Sequence, residues 1–241
     1  MSEEAEVSKV EVEKAGSRQL RGSIAEELDP SLECFSGGNI GFLKHHGTYQ
    51  QDNRDDRGGK AEDGAKAGKS YMMMVRSRIP GGQLTADDLL AELDMCDEFG
   101  NSTLRITSRQ GLQLHGVLKD DLQPTIKAIN EKTTLTTLGA CGDVNRNVMC
   151  NPNPVESKLH EQAYAVAKQL SDHLLPHTRA YAEIWLDEEK LLSTEDETVE
   201  PVYGKTYLPR KFKMAVAVPP DNDVDVYTND LGFIAVAENG E

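Results

Sequence analysis

The sequence has few cysteines, no long apolar run and no recognisable secretory leader. Its four cysteines are Cys34, Cys96, Cys141 and Cys150, and none forms a Cys-x-x-Cys pair. They are too few for a disulfide scaffold, and unaided they could not hold an iron–sulfur cluster. No stretch approaches the ~20 apolar residues of a membrane helix, so no membrane partner is expected. The acidic N-terminus lacks a signal peptide's apolar region, which predicts a cytoplasmic protein.

Positive charge is also scarce in the chain as a whole. The formal net charge is −15 at pH 7. Because phosphate neutralisation needs a broad basic surface, this balance argues against a nucleic-acid partner. Glycine-rich phosphate loops, the G-x-S-x-G elbow and the H-E-x-x-H zinc motif are missing from the sequence. His45 and His46 are adjacent, but no third ligand stands at a recognisable spacing, so no metal site is expected.

The chain divides into three predicted parts. Residues 1–70 comprise an acidic tail of about sixteen residues, an irregular wrapping segment and a loop at 54–70 rich in glycine and charge. Residues 71–150 and 151–241 each mix helical and strand patterns. The predicted class is therefore α+β, with the third part incomplete because it ends directly after a strand.

The second part has the order β-α-β-β-α of a ferredoxin-like split βαβ unit. Thr85 is placed to cap its first helix, which is predicted to carry an apolar side formed by Leu89, Leu90, Leu93 and Phe99. A final strand could follow Leu138. The predicted elements are strands at Tyr71–Arg78, Thr103–Ser108 and Leu112–Val117 and helices at Ala86–Glu98 and Asp121–Lys132.

The third part begins with an Asn-Pro-Asn-Pro turn at 151–154 and contains an acidic segment at 187–202. Amphipathic spacing predicts a long helix before that segment, and alternating apolar residues predict strands on both sides of it. The predictions are a helix at Val155–Leu175 and strands at Ala180–Leu186, Phe212–Val218, Val224–Tyr227 and Gly232–Ala237.

Six basic residues stand out in this acidic sequence, each at a strand end or in an adjacent turn. They are Arg76, Arg105, Arg109, Arg146, Lys211 and Lys213. Guanidinium groups offer a rigid fork to oxyanions, and lysine offers a mobile charge and a proton. Such a set predicts a pocket for a densely anionic ligand. Two alternatives stay open, a solvent-exposed sheet face and a charged strand edge that discourages aggregation.

A predicted hairpin gathers part of this set. Alternate residues of a strand face the same side. A tight Arg109-Gln110-Gly111 turn therefore predicts one polar surface that carries Arg105, Thr107, Gln113 and His115.

Several longer motifs, taken in order, closely resemble the N-terminal half of the assimilatory sulfite reductase haemoprotein family. They are HHGTYQQDNRD at 45–55, VRSRIPGG at 75–82, LRITSRQGLQLHG at 104–116, GDVNRNVMCNPNP at 142–154, HLLPHTRAYAEIWLD at 173–187 and TYLPRKFK at 206–213. The resemblance implies an α+β fold, with a ferredoxin-like half-domain followed by the first part of the nitrite/sulfite reductase domain.

The resemblance also implies a function, the six-electron reduction of sulfite to sulfide at a sirohaem joined to a [4Fe–4S] cluster. An electron donor, either ferredoxin or an NADPH flavoprotein component, would be a partner. Its substrate-gripping and proton-supplying residues would be Arg76, Arg146, Lys211 and Lys213, and its sirohaem-binding residues would be Arg105, Thr107, Arg109, Gln113, His115 and Arg210.

The family's cluster cysteines belong to its C-terminal half, which this sequence lacks. The chain therefore resembles a fragment, or one piece of a split enzyme whose C-terminal half is separate, and we expect it not to turn over sulfite alone. Two alternatives are a ferredoxin–nitrite reductase portion and a non-catalytic anion- or tetrapyrrole-binding fragment. Lys213 favours sulfite, because the nitrite branch resembles this motif with asparagine at that position.

Overall fold

A computed structural model describes residues 7–53, 68–152, 157–186 and 200–237. The predicted loop at 54–70 and the acidic segment at 187–202 lie mostly outside these ranges, as does part of the turn at 151–154. None of the described helices is long and apolar enough to cross a membrane. The α-helices, α1 to α7, cover Lys9–Ala15, Ile24–Glu27, Gly37–Leu43, Ala86–Phe99, Leu122–Lys132, Lys158–His173 and Ala180–Trp185.

The first sheet is antiparallel and has the strand order β1-β2-β4-β3. Helices α4 and α5 pack on one of its faces, where the largest hydrophobic cluster lies. The opposite face carries the polar residues that the sequence singled out. The four strands are β1 at Thr48–Asp52, β2 at Tyr71–Ser77, β3 at Leu104–Ile106 and β4 at Leu112–Val117.

The predicted β-α-β-β-α order is confirmed by β2, α4, β3, β4 and α5. The predicted strand after Leu138 is wrong. Positive φ angles at Gly139 and Gly142 turn the chain there, and the place beside β2 is taken by β1, which precedes it in sequence. An isolated bridge between Arg78 and Thr136 joins the residues before Leu138 to the chain just after β2.

Helix α4 is rotated from its predicted orientation. Its leucines Leu89, Leu90 and Leu93 are 40–58% exposed, whereas Asp88 and Glu92 are buried. Asp88 completes a capping box with Thr85 and also accepts a hydrogen bond from the Thr134 backbone N–H at 2.7 Å. Glu92 accepts a hydrogen bond from the Ser77 hydroxyl. These polar contacts set the orientation, which apolar periodicity alone does not reveal.

The N-terminal segment is more ordered than expected. Residues 9–15 form α1 instead of a solvated tail, with Ser8 as its cap. Lys14 is 2% exposed, and its ammonium donates to the Leu208 carbonyl at 2.8 Å and pairs with Glu11 at 2.7 Å. The segment predicted as irregular contains α2, α3 and β1. The lysine contact, distant in sequence, ties α1 to the loop that precedes the Arg210–Lys213 run.

A second, parallel sheet has the order β5-β6-β7, with strands at Met149–Cys150, Met214–Ala217 and Leu231–Ile234. Helix α6 packs on β5 and β6 and confirms the predicted long helix. Strand β6 lies within the predicted Phe212–Val218, and β7 overlaps the predicted Gly232–Ala237.

Two strand predictions in this region are wrong. Helix α7 takes the place of the predicted strand at Ala180–Leu186, because Ala180, Tyr181, Ile184 and Trp185 are buried at helical spacing. Residues 224–227 do not form a strand, and a short 3₁₀ turn covers Val226–Thr228. There the Asn222 side chain accepts a hydrogen bond from the Val226 backbone N–H at 2.8 Å, so local side-chain bonding replaces strand pairing.

His46 links the N-terminal segment to α7. Its Nε2–H donates to the Leu20 carbonyl at 3.1 Å, and its Nδ1 accepts from the Trp185 indole N–H at 2.7 Å. Both ring nitrogens are therefore occupied in the neutral tautomer. Burial lowers the pKa of His46 to about 3. Burial likewise lowers the pKa of the neighbouring buried His45 to about 3.

We predict that acidification destabilises the fold through His46. Between pH 6.5 and 5 the unfolded state takes up a proton that the folded state excludes, so the free energy of unfolding falls as pH falls. Its contribution is about 2 kcal/mol over that interval, from 1.36 kcal/mol per pH unit. Urea unfolding at both pH values checks this. From pH 6.5 to 5, His46→Gln should lose less stability than the native sequence. His173→Gln, at an exposed position, should lose as much as the native sequence. Equal losses in the native sequence and His46→Gln would contradict it.

Candidate anion-binding site

The polar sheet face begins with a row of side chains across three strands. In the antiparallel register, Arg76 on β2 and Arg105 on β3 both stand opposite Gln113 on β4. Directly opposite residues share one face of a sheet. With the Gln113 amide oxygen turned toward Arg76, it accepts from Arg76 Nε at 2.9 Å, while the amide nitrogen donates to His115 Nε2 at 3.2 Å. The structure thus places Arg76, Arg105, Gln113 and His115 together, as the hairpin predicts.

A small cavity of about 180 Å³ lies between this sheet and the second one. Among the described residues its lining contains no acidic side chain, and its six cations come from four separate stretches of chain. Its lining comprises Arg76, Ser77, Arg78, Thr107, Ser108, Arg109, Gly111, Ala140, Arg146, Asn147, Lys211 and Lys213. The four residues predicted to grip the substrate therefore border one cavity.

Lys211 shows how strongly the positive charges are concentrated. Burial lowers the pKa of its ammonium, and the neighbouring cations Arg146, Arg210, Lys213 and Arg76 lower it further. No carboxylate within the described residues forms an ion pair with any of these cations. Unbalanced positive charge of this kind favours an anionic guest and eases proton release from the lysine.

The same concentration of positive charge keeps His115 neutral. Burial lowers its pKa, and the charges of Arg105 and Arg76 lower it further. A neutral imidazole can donate one hydrogen bond and accept another. An anion bound to the arginines would oppose their effect and raise the pKa of His115.

Arg109 connects the hairpin turn to the second sheet. Its guanidinium donates to the Asn229 side-chain oxygen at 2.9 Å, the Asn147 carbonyl at 2.8 Å and the Met214 carbonyl at 2.9 Å. Its Nε is buried without an acceptor among the described residues. Burial lowers the pKa of Arg109 to about 10, so it stays charged at neutral pH. The turn is thereby held against the cavity wall.

The turn itself is shaped by Thr107. Its hydroxyl oxygen accepts from the backbone N–H groups of Arg109 at 3.3 Å and Gly111 at 3.0 Å. Gln110 then docks the turn on β5, with its amide donating to the Cys150 carbonyl at 2.7 Å and accepting from the Cys150 N–H at 3.1 Å. Two strand ends from different sheets are thus held at the same cavity.

Two predicted cations occupy the remaining sides of the site. Lys213 borders the cavity, and its ammonium donates to the Thr228 carbonyl at 3.4 Å. Arg210 is exposed and borders a neighbouring cleft of about 440 Å³, which Arg146 and Lys211 also border. The cavity and the cleft therefore share a wall that contains two cations.

The sequence motifs alone left three neighbours without a role. The Tyr49 ring lies 5.9 Å from the Arg76 guanidinium carbon. Burial raises the pKa of the Cys141 thiol, although Arg76 and Arg146 act in the opposite direction. Arg78 borders the same cavity as Arg76 but is only 2% exposed. Tyr49 stands within the quoted HHGTYQQDNRD motif, which was the available signal for it.

The described residues contain no group of three or more His, Cys, Asp or Glu that could hold a metal ion. The four cysteines are all free thiols, and Cys96, Cys141 and Cys150 are buried apart from one another. Ligands for an iron–sulfur cluster are therefore not assembled in the part of the chain that the structure describes.

Comparisons with known proteins agree on one family. The model described as "Nitrite/Sulfite reductase ferredoxin-like half domain" matches residues 65–132, and "Nitrite and sulphite reductase 4Fe-4S domain" matches residues 165–241. The chain belongs to the nitrite and sulfite reductase family. The predicted ferredoxin-like half-domain followed by the first part of the reductase domain is thereby confirmed. The boundaries at 70 and 150 and the roles of individual residues stay predictions.

Curated relatives carry the name of a sulfite reductase component. The sulfite reductase (NADPH) hemoprotein beta-component of Shewanella sp. strain W3-18-1 is 64% identical over 230 residues, which are 95% of this chain and 40% of that protein. The protein of the same name from Shewanella putrefaciens strain CN-32 is 63% identical over the same span. The chain thus covers about 40% of the length of these relatives.

One solved structure shares the fold over most of the chain. Mycobacterium tuberculosis NirA superimposes with a TM-score of 0.59 and 21% identity, covering 94% of this chain and 37% of that one. At this identity the likeness shows a common fold alone.

Arg109→Lys should lower the free energy of unfolding by about 3 kcal/mol, because a lysine cannot reach the separate acceptors that the guanidinium fork joins. Arg105→Lys is the matched control on the same hairpin: its side chain is exposed, so a change within about 0.5 kcal/mol is expected. Urea denaturation at pH 7 measures both. If the two variants lose the same stability, Arg109 does not join the sheets as described.

Proposed function

We propose that this chain forms the sulfite- and sirohaem-binding portion of an assimilatory sulfite reductase, which reduces sulfite to sulfide with six electrons. The observation that carries the proposal is the cavity lined by Arg76, Arg146, Lys211 and Lys213 and, among the described residues, by no acidic one. The curated relatives, named as sulfite reductase components, support it.

The cations have two tasks in this proposal. Fixed guanidinium groups hold a small oxyanion against an electron-rich centre and stabilise the charge that develops as S–O bonds break. Removal of each oxygen as water needs protons, and lysine is suited to supply them when its pKa is lowered. The ammonium of Lys211 meets that condition, because burial and four neighbouring cations lower its pKa.

The residues fit the carboxylate-bearing rim of sirohaem. Arg105 and Arg210 are exposed beside the cavity and the cleft, and neither pairs with a carboxylate within the described residues. The buried Arg109 Nε has no acceptor there. Arg105, Thr107, Arg109, Gln113, His115 and Arg210 would hold the macrocycle. When bound, sirohaem supplies the electrons that reduce sulfur, while this chain's residues orient sulfite and deliver protons.

The [4Fe–4S] cluster does not fit the described residues, which assemble no ligand set. A complete centre then needs a further segment corresponding to the rest of the curated relatives. Strand β7 offers it a surface: parallel sheets are normally covered on both faces, yet Leu231, Phe233 and Ile234 are exposed on this edge strand. An electron donor, ferredoxin or an NADPH flavoprotein component, would act on the assembled enzyme.

Sulfite should bind the purified chain through the cavity cations. Lys213→Met should weaken sulfite affinity by about tenfold, because one charge-assisted hydrogen bond contributes roughly 1.5–3 kcal/mol. Lys205→Met is the matched control, since Lys205 is exposed and outside the cavity lining. Isothermal titration at low ionic strength measures the affinity. Equal affinities for the two variants would contradict the proposed site, and tighter binding of nitrite than sulfite would favour the nitrite reductase alternative.

The chain alone should bind sirohaem without turning over sulfite. After reconstitution we expect a visible absorption band that Arg105→Met/His115→Leu weakens, and no sulfide from an artificial electron donor. Addition of a polypeptide spanning the remaining length of a curated relative should restore sulfide production, and Phe233→Asp in this chain should prevent that. Sulfite reduction by the isolated chain would contradict the proposal, and absence of any absorption band would point to an inactive remnant.

A further inference from the structure

Arg78 is a buried cation without an acidic partner. Its side chain is 2% exposed, and no carboxylate of the described residues forms an ion pair with it. Burial lowers its pKa to about 10, so it remains charged at neutral pH. Burying a charge is costly unless polar groups surround it. An apolar side chain could fill the same space, so packing alone does not account for an arginine here.

All three nitrogens of the Arg78 guanidinium already donate to protein oxygens. Nε donates to the Ser171 hydroxyl at 3.0 Å, and Nη2 donates to the Ser171 carbonyl at 2.8 Å. Nη1 donates to two carbonyls, those of Gly139 at 3.3 Å and Asn145 at 3.0 Å. Four of its five N–H groups are thereby committed, so Arg78 has at most one N–H left for a guest in the cavity that it borders.

The two carbonyls on Nη1 are the ends of one loop. A single nitrogen therefore holds Gly139 and Asn145 together, and the loop between them closes around it. Arg146 is the next residue, and its Nε donates back into this loop, to the Gly142 carbonyl at 2.8 Å. Its backbone N–H donates to the Phe212 carbonyl at 2.8 Å, which joins it to the run that carries Lys211 and Lys213.

The position of Arg78 is itself fixed from outside the loop. Its backbone N–H donates to the Thr136 carbonyl at 2.8 Å, and its bonds to Ser171 anchor it to helix α6. Gly139 cannot carry a side chain without a close approach, since an added Cβ would lie 2.9 Å from the Arg78 guanidinium. The loop and the guanidinium are thus fitted to each other.

We infer that Arg78 is a positioning residue, which clamps the loop at 139–145 and thereby directs the Arg146 guanidinium into the cavity. The effect on sulfite rests on the proposed function, but the effect on Arg146 does not. A side chain that only stabilises the fold would not act selectively on Arg146.

The direct test is hydrogen exchange of arginine side-chain Nε–H groups by NMR in chain labelled with ¹⁵N-arginine. Arg78→Met should speed exchange of the Arg146 Nε–H by about tenfold or more, because its acceptor on Gly142 is released. The Arg21 Nε–H is the internal control, since it binds Glu183 at 2.7 Å in another part of the fold. Arg146→Lys assigns the signal.

An unchanged Arg146 signal in folded Arg78→Met would overturn the inference, as would equal acceleration at Arg21. If Arg78→Met does not fold, the exchange of the Arg146 Nε–H is measured in Arg78→Lys instead. Lysine keeps the charge but cannot join the Gly139 and Asn145 carbonyls.

A double-mutant cycle on sulfite affinity adds a functional readout. Arg78→Met should weaken sulfite binding about tenfold in the native background and should have no further effect in Arg146→Met. Equal weakening in both backgrounds would overturn the inference. If the native chain binds no sulfite at all, the proposed function fails, and the exchange measurement still decides the role of Arg78.

Discussion

Repulsion between cations that have no acidic counterpart is the constraint on which this site depends. Arg76, Arg146, Lys211 and Lys213 border one cavity without a carboxylate in its lining. Such an arrangement costs free energy in the absence of an anion, because like charges repel one another, and the neighbouring cations lower the pKa of Lys211. In a protein with a net charge of −15, the separation of these cations from the acidic residues is all the more informative. An anionic guest removes the repulsion.

The fold tolerates this repulsion because neutral acceptors hold the cations in place. Arg109 joins the hairpin turn to Asn147 and β6 through backbone carbonyls, and Arg78 joins the loop at 139–145 to α6 in the same way. Carbonyls orient a guanidinium without cancelling its charge. The two sheets are thereby joined at the cavity while the positive potential is kept for a ligand.

The sequence was sufficient for the framework of the ferredoxin-like unit, because its caps and periodicity are local. Thr85 caps α4, and Leu112–Val117 forms a strand, as predicted. It failed where distant contacts override local pattern: Asp88 and Glu92 turn α4 away from its leucines, and α7 replaces a predicted strand. Strand β1 could not be foreseen beside β2, since its pairing joins residues that lie far apart in sequence.

The candidate site, too, was only partly predictable from the sequence. The hairpin spacing was enough to place Arg105, Gln113 and His115 on one face. The approach of Arg146 and Lys211 to that face is a tertiary fact, and only the resemblance of whole motifs suggested it. The buried role of Arg78 had no sequence signal, because its acceptors on Gly139, Asn145 and Ser171 are distant in sequence.

The most direct test of the anion site is a crystal structure of this chain soaked in selenite, the heavier analogue of sulfite. Selenium scatters anomalously, so its position is read without assumptions about shape. The account predicts one strong anomalous peak within hydrogen-bonding reach of Arg76, Arg146, Lys211 and Lys213. A cavity without a peak at saturating selenite, or peaks at surface lysines only, would contradict it.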